Sequence, residues 1–284
     1  MLGFPNQIDA AVLTGGAFVA TMPLTKVQGR EIKDIARTVN AQRASTFIKI
    51  DQLKSSPARV LAIINHNFSL DARFRVRGTN TADKGDDDTY EFDSGWQDVW
   101  PTVYPYGTKE WEDPSWWGGK YSEEEIAGYT PSLIYLLPSI KLMRYWRIDI
   151  DDTTNKVGYL QFGRMFIGPT WQPTINMSYG ASLALETDTE VQKAQGGAEY
   201  FDVKTPFRVK NLRLDNLTTD EAMANVFELQ RRAGIDKEIL WVFDPDDQVH
   251  AIRNRYLGRL RQLSPIEFPY FRTNSAAFEI KEIQ

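Results

Sequence analysis

The residues able to do chemistry are few, and most sit outside any catalytic pattern. Histidine occurs only twice in 284 residues, as His66 and His250, and the two lie in different halves of the chain. Neither belongs to an H-E-x-x-H helix or another metal-ligand spacing. His66, between Asn65 and Asn67 at the end of an apolar run, reads better as a hydrogen-bonded histidine holding a strand end than as a general base. A base needs a partner and a cleft, and the sequence names neither. Cysteine is absent, which excludes disulfides, zinc–thiolate and iron–sulfur sites and a thiol nucleophile. G-x-S-x-G, the P-loop and G-x-G-x-x-G are missing too. A pair of carboxylates for glycoside hydrolysis is defined by a separation in space that sequence does not give. No catalytic residue, metal or cofactor is therefore expected. The acidic stretch Asp83–Asp88 is dense in hard oxygen ligands suited to calcium, yet it lacks the spacing and closing Glu of an EF-hand and reads as a solvated turn.

Binding chemistry is better represented. Five of the eight tryptophans, Trp96, Trp100, Trp111, Trp116 and Trp117, fall within about twenty residues, accompanied by Tyr104, Tyr106 and Tyr121. Rings of this kind stack on sugar faces, anchor subunit interfaces, or form a satellite core over a sheet edge, and all three uses stay open here. Further on, Arg253, Arg255, Arg259 and Arg261 are spaced to share one strand face. Like charges in a row repel unless they meet acids. The arginines are thus either a solvated face or partners for Asp244, Asp246 and Asp247 of a neighbouring copy.

The elements that must hold these residues are mostly strands. Thr46–Asp51 is β-rich, Arg59–Ile64 is an apolar run suited to a strand covered on both faces, and Ala72–Arg77 alternates. Leu133–Leu137, Tyr145–Ile150 and Val157–Ile167 continue the series, the last two joined as a hairpin by Thr153–Lys156. Between them, about 89–131 is a long insertion punctuated by Pro and Gly, with Ser122–Glu125 placed to cap one short helix. Residues 29–40 allow either a helix or an extended arm with a single helical turn. After a boundary near 172, the pattern is strands at 183–187 and 201–214, a helix at about 219–233, then strands at 238–243, 249–260, 268–270 and 276–283. Thr218 and Glu221 form a capping-box pattern, and Gly234 ends the helix. The expectation is a mainly β chain: an N-terminal arm (1–43), a jelly-roll sandwich (44–172) and a second β-sandwich with one packed helix (173–284).

Composition narrows the partners. A formal charge of −5 argues against nucleic acid, whose binding needs surplus Lys and Arg. No apolar run approaches the roughly 18 residues of a membrane span. The first residues, MLGFPNQIDAAVLTGGAF, have no basic stretch before their apolar ones and are not expected to be a signal peptide. At this mass about three quarters of the unfolded surface can be buried, enough for a core without disulfides or metal.

Thr46–Asp51, Ala58–Asn67, Ala72–Gly78, the run Arg144-Tyr145-Trp146-Arg147-Ile148 and the hairpin end Gly163–Gly168 together resemble the galactose-binding-like (discoidin-type) jelly roll over about 44–171. More narrowly, they resemble the jelly-roll proteins of tailed-bacteriophage tail tips. The C-terminal block is similar in element order to tail-tube-like β-sandwiches. This resemblance implies a distal tail or baseplate component of the virion, assembled in the host cytoplasm. Such a protein forms a ring of copies of itself, a hexamer in that family, which joins tail-tube to hub or tip proteins. It also implies an alternative: a carbohydrate-binding adhesin that recognises a host surface glycan through loops at one end of the jelly roll. No ligand residue of the family maps onto this chain.

Overall fold

A computed structural model describes residues 1–82, 90–113 and 115–284. The acidic turn Asp83–Asp88 therefore lies outside the described residues. The protein is mainly β, with 42% of residues in strands against 11% in helix. It folds as two units. One comprises Pro5–Thr170 and Val242–Tyr256; the other comprises Met1–Phe4, Trp171–Trp241 and Leu257–Gln284.

The first unit is built on a seven-stranded sheet. Its strands are β1 (Val12–Thr14), β2 (Ile48–Ile64), β3 (Arg73–Thr79), β4 (Phe92–Asp93), β5 (Gln97–Asp98), β6 (Ser132–Asp151) and β7 (Met165–Gly168). The central order is β7-β2-β6-β3-β4, all antiparallel, with β1 on β2 and β5 on β3. Two long strands, β2 and β6, carry the sheet and bend twice. Asp51 pairs with Tyr145 and Ser56 with Met143, so β2 bulges at residues 52–55. Leu53 has φ 64° there, and its N–H donates to Asp51 Oδ1 at 2.8 Å. The second bulge is on the partner: Ala58 pairs with Lys141 and Val60 with Leu136, leaving Arg59 opposite residues 137–140. Bulges bend a strand and re-aim its side chains.

The core of this unit is apolar and closed. Ile48, Ile50, Leu61, Ile63, Val76, Trp146 and Ile148 are all buried in it. Gly78 matters here because a Cβ would collide with Met143 and the Trp146 ring. Much of the stretch expected as an arm belongs to this core, since Ile8, Leu24, Val27, Ala36 and Ala41 are buried in the same cluster. Of the two readings for residues 29–40, the extended one holds. Val19 N–H donates to Arg37 O, Thr38 N–H to Leu160 O and Val39 N–H to Ala17 O, so the backbone groups a helix needs are already used. The nearest helical turn, a 3-10 turn at Leu24–Gln28, precedes this segment. The expected strand Val157–Ile167 is broken into Gln161–Phe162 and β7, because Gly163 passes against the Ile32 carbonyl and fully buried Arg164 turns to the Val27 carbonyl at 3.1 Å.

The second unit holds β8 (Ser182–Glu186), β9 (Glu190–Lys193), β10 (Glu199–Asp202), β11 (Phe207–Leu217), β14 (Ile266–Tyr270) and β15 (Thr273–Glu282), together with most of β12 (Glu238–Val242) and β13 (Arg255–Leu260), whose residues Val242, Arg255 and Tyr256 belong to the first unit. In its sheet β12-β13-β15-β11-β8 run side by side and β14 also pairs β15. The expected strand 201–214 is split at Pro206, which has no N–H to give a ladder. β9 and β10 instead form a separate two-stranded ribbon. A helix of 13 residues spans Glu221–Ala233, π-helical over its first turns. Its start is the capping box: Glu221 N–H donates to Thr218 Oγ1 at 3.2 Å and Thr218 N–H to Glu221 Oε2 at 3.1 Å. A buried pair, Arg208–Glu282, ties β11 to the end of β15; Arg208 Nε donates to Glu282 Oε2 at 2.8 Å.

Candidate functional site

The aromatic insertion leaves the sheet after β5 and divides its rings between two sides. Val99 N–H donates to Ala72 O at 2.9 Å, which fixes the departure point. Val99, Trp100, Val103 and Tyr121 then join the core. Trp100 is 5% exposed; its Nε1 donates to Phe68 O at 3.4 Å, and Tyr121 meets its ring edge-on at 6.4 Å. The Tyr121 hydroxyl is 2.8 and 2.9 Å from the carbonyls of Gln248 and Val249. Burial pushes its pKa up. The loop closes on itself where the N–H groups of Val103 and Tyr104 both donate to Gly119 O, at 2.7 and 2.9 Å. Gly119 has φ 57°, where a Cβ would strike the Tyr104 carbonyl; that position favours glycine.

Beyond this closure the rings turn outward. Tyr106, Trp111 and Trp117 are 86%, 72% and 85% exposed. Trp116 is half-buried, its ring 5.5 Å from Tyr106. Trp96 is half-buried at the loop entrance with the Arg43 guanidinium 4.8 Å from its ring. A polar knot stiffens the base. The Tyr104 hydroxyl donates to Glu125, Lys109 Nζ sits 3.3 Å from the same carboxylate and 4.0 Å from the Tyr104 ring. Glu125 is also half of the capping box with Ser122 that starts the short helix Glu123–Ile126. Burial works against the Glu125 charge, but the hydrogen bonds from Tyr104, Ser122 N–H and Lys109 outweigh it and hold the carboxyl below its usual range. Burial, aided by the same carboxylate, raises the Tyr104 hydroxyl. Exposed rings interleaved with Lys109, Glu110, Glu112 and Asp113 offer apolar faces and hydrogen-bonding groups side by side.

The eight sequence-selected rings therefore do not act together. Trp100 and Tyr121 are core, Tyr104 is a tie, Trp96 stands apart at the loop entrance against Arg43, and Tyr106, Trp111, Trp116 and Trp117 form the outer group. The signal for this division lies in Val99 and Val103, the aliphatic residues beside the rings that turn inward.

The arginine series does not share a strand face. Asn254 N–H donates to His250 O at 2.9 Å, so residues 251–254 form a helical turn and Arg253 lies on it rather than on a strand. Arg255 begins β13 and is buried; its Nη2 lies 3.0, 2.8 and 2.9 Å from the carbonyls of Asp244, Pro245 and Asp247. Arg259 is exposed. Arg261 is engaged within the chain by Glu186 at 3.0 Å and Glu279 at 2.8 Å. Of the acids, Asp247 pairs with His250 at 3.0 Å, and Asp244 Oδ1 accepts the Asp246 N–H at 2.9 Å.

His66 is buried where β2 ends, stacked on Phe68 at 4.3 Å. Its Nδ1 accepts the Phe68 N–H at 3.2 Å. Burial lowers its pKa to about 3, so it is neutral at physiological pH and its role is to hold the strand end. Among the described residues, no helix is long and apolar enough to cross a membrane.

No family model matches the chain, and no curated protein does. Solved structures with some likeness include the lectin domain of Lectinolysin complexed with Lewis B antigen. That comparison has 12% identity and a TM-score of 0.37, over 60% of this chain and 99% of that one. CBM32-1 from a family 31 glycoside hydrolase of Clostridium perfringens matches at 10% identity and a TM-score of 0.37, over 58% and 97%. An f-lectin (fucolectin) from Morone saxatilis (striped bass) serum matches at 10% identity and a TM-score of 0.37, over 98% and 90%.

Proposed function

We propose that this chain is a carbohydrate-binding protein of galactose-binding-like jelly-roll type that recognises a host surface glycan from a phage tail tip. The observation that carries the reading is the outer ring group Tyr106, Trp111 and Trp117 on a loop whose base is fixed by backbone and side-chain hydrogen bonds. A sugar presents a C–H face to a ring and hydroxyls at its edge. Stacking surfaces mixed with charged side chains suit it better than they suit the dry centre of a protein interface, which is depleted of charge. Catalysis has no part in this reading.

The test is a glycan array probed with the wild-type protein and with Trp111→Ala and Trp117→Ala. Binding that is lost in the variants, while their circular dichroism and melting curves match wild type, supports the reading. Binding indifferent to both substitutions, or none on any array, defeats it.

A second reading, the structural ring component that links tail tube and tip, is supported by a different observation. The ribbon β9–β10 is exposed on both faces and still carries Val191, Tyr200 and Phe201, while β14 and its turn expose Phe268, Tyr270 and Phe271. A lone two-stranded ribbon is marginal in water, and apolar patches left open mark contact surfaces. Light scattering and particle imaging, with and without tail extract, check this reading. A chain that stays monomeric and is absent from virions counts against it.

A further inference from the structure

The inner side of the aromatic insertion bounds a cavity of about 470 Å³, a size common among small-molecule sites. The wall is mostly apolar and aromatic, with Phe74, Trp100, Tyr121 and Tyr135 around it. Phe74 and Tyr135 meet edge-on at 5.4 Å, as do Trp100 and Tyr121 at 6.4 Å, so both ring pairs are held in place by packing. Two guanidiniums, Arg59 and Arg255, also line it.

Neither arginine has a carboxylate bound to it among the described residues. Arg59 sits at the bulge where one residue of β2 faces four of β6, and its buried Nη1 has no hydrogen-bond partner. Arg255 is 6% exposed and its direct acceptors are three backbone carbonyls; its Nε is buried without a partner. Asp244, Asp246 and Asp247 contribute to the field around Arg255 from nearby. Two acids also line the cavity: Asp246, and Asp98, which is shared by Lys120 at 3.3 Å and Arg73 at 3.6 Å. A buried donor with no acceptor carries a desolvation cost that an incoming anion relieves.

We infer that this cavity binds a carboxylate carried on a six-membered ring, with the charge on Arg59 and the ring among Trp100, Tyr121 and Phe74. A planar guanidinium takes a carboxylate through two parallel bonds, and aromatic walls receive either the C–H face of a sugar or an aromatic ring. Arg255 is locked by the carbonyls and offset by the neighbouring aspartates, which leaves Arg59 as the anion-binding group. The ligand class is thus a ring acid, found either as an acidic sugar unit of a glycan or as a free aromatic acid. The site is independent of the outer ring group and of the reading built on it.

Isothermal titration of the full chain with glucuronate and with benzoate, each against its neutral counterpart (glucose and benzyl alcohol), tests this. Glucuronate bound in preference to glucose identifies an acidic sugar; benzoate alone bound in preference to benzyl alcohol identifies a free aromatic acid. Arg59→Gln should weaken the bound acid about tenfold or more, as for a lost bond to a charged group, and Arg259→Gln, at an exposed arginine that does not line the cavity, should leave it unchanged. Neither acid binding at millimolar concentration, acid and neutral forms binding alike, or a folded Arg59→Gln protein binding as wild type would each overturn the inference. Should Arg59→Gln fail to fold, the acid-against-neutral comparison on wild type decides.

Discussion

In the unit of Pro5–Thr170, strands β2 and β6 bring Ile48, Ile50, Leu61, Ile63, Trp146 and Ile148 into one closed interior. In the other unit, β8 leaves Leu183 and Leu185 in water, and the β9–β10 ribbon leaves Val191, Tyr200 and Phe201 there. Both sets of strands contain β-branched and aromatic residues, so strand chemistry alone does not distinguish them. The difference is whether a further layer covers the sheet. In the first unit, residues 5–43 and the aromatic insertion supply Ile8, Val27, Trp100 and Tyr121 to that layer; the ribbon has no equivalent cover within its own unit. The interior of the first unit is closed by its own chain, and its exposed rings Tyr106, Trp111 and Trp117 lie on the insertion, whereas the ribbon of the other unit is open on both faces.

The strongest test of the closed unit is acid. Unfolded, His66 takes a proton near the ordinary pKa of about 6.5; folded, burial lowers that value to about 3. Between those limits the unfolded chain binds a proton that the native one does not, so stability is full above about pH 6.5 and falls as pH drops toward 3. The whole interval corresponds to roughly 5 kcal/mol, and the step from pH 7.5 to pH 5 to roughly 2. Urea unfolding at these pH values should show that loss in wild type and its removal in His66→Gln. Identical pH slopes in the two proteins would mean the imidazole is wet and the core open.

A buried ion pair of the other unit tests the converse. Glu282 is 6% exposed and accepts from both the backbone N–H and Nε of Arg208. Glu282→Ala strands a buried guanidinium, and breaking such a pair costs about 3–5 kcal/mol. Chemical denaturation measures it. A loss below about 1 kcal/mol, as at a surface pair, would show that water reaches β11 and that this unit is open even where it looks most closed.

The contrast also runs through a single loop. Trp100→Ala removes a core ring and should cost about 3–5 kcal/mol, while Trp117→Ala, on an exposed ring, should stay within about 0.5 kcal/mol. Equal losses in thermal melts would erase the division between inner and outer rings.

What sequence conveyed follows from the same physics. Alternation exposed the strands of Ala72–Arg77 and Tyr145–Ile150, and the Thr218–Glu221 capping box marked the helix start, because these signals are local. The splitting of the rings and the role of Arg59 at a bulge depend on partners dozens of residues away, whereas the helical turn that removes Arg253 from a strand is local and was masked by an assumed strand. Arg59 did leave a trace: it is the one charge in Ala58–Ile64, and a cation inside an apolar run asks for an explanation. Tryptophan density located the loop without telling which rings it hides. The arginine series misled because side-chain spacing was read on an assumed strand, and the hydrogen bond from Asn254 to His250 bends that segment into a turn.

The smallest energetic effect makes the sharpest test of the open unit. Val191 and Phe201 are direct cross-strand partners on the ribbon, and Tyr200 is exposed on the adjacent position. Replacing Tyr200 and Phe201 with Ser removes apolar surface that the chain itself does not bury, so each change should alter folding stability by no more than about 0.5 kcal/mol. Self-association is another matter. If these rings are covered by sister copies, sedimentation velocity should show the oligomer of wild type reduced toward monomer in the double variant, with the melting curve of the monomer unmoved. A melting curve lowered by several degrees would reveal that the rings are packed inside their own chain. An oligomer that persists unchanged would place the contact elsewhere, on β8 or β14, and would leave the ribbon as apolar surface with no partner of its own kind.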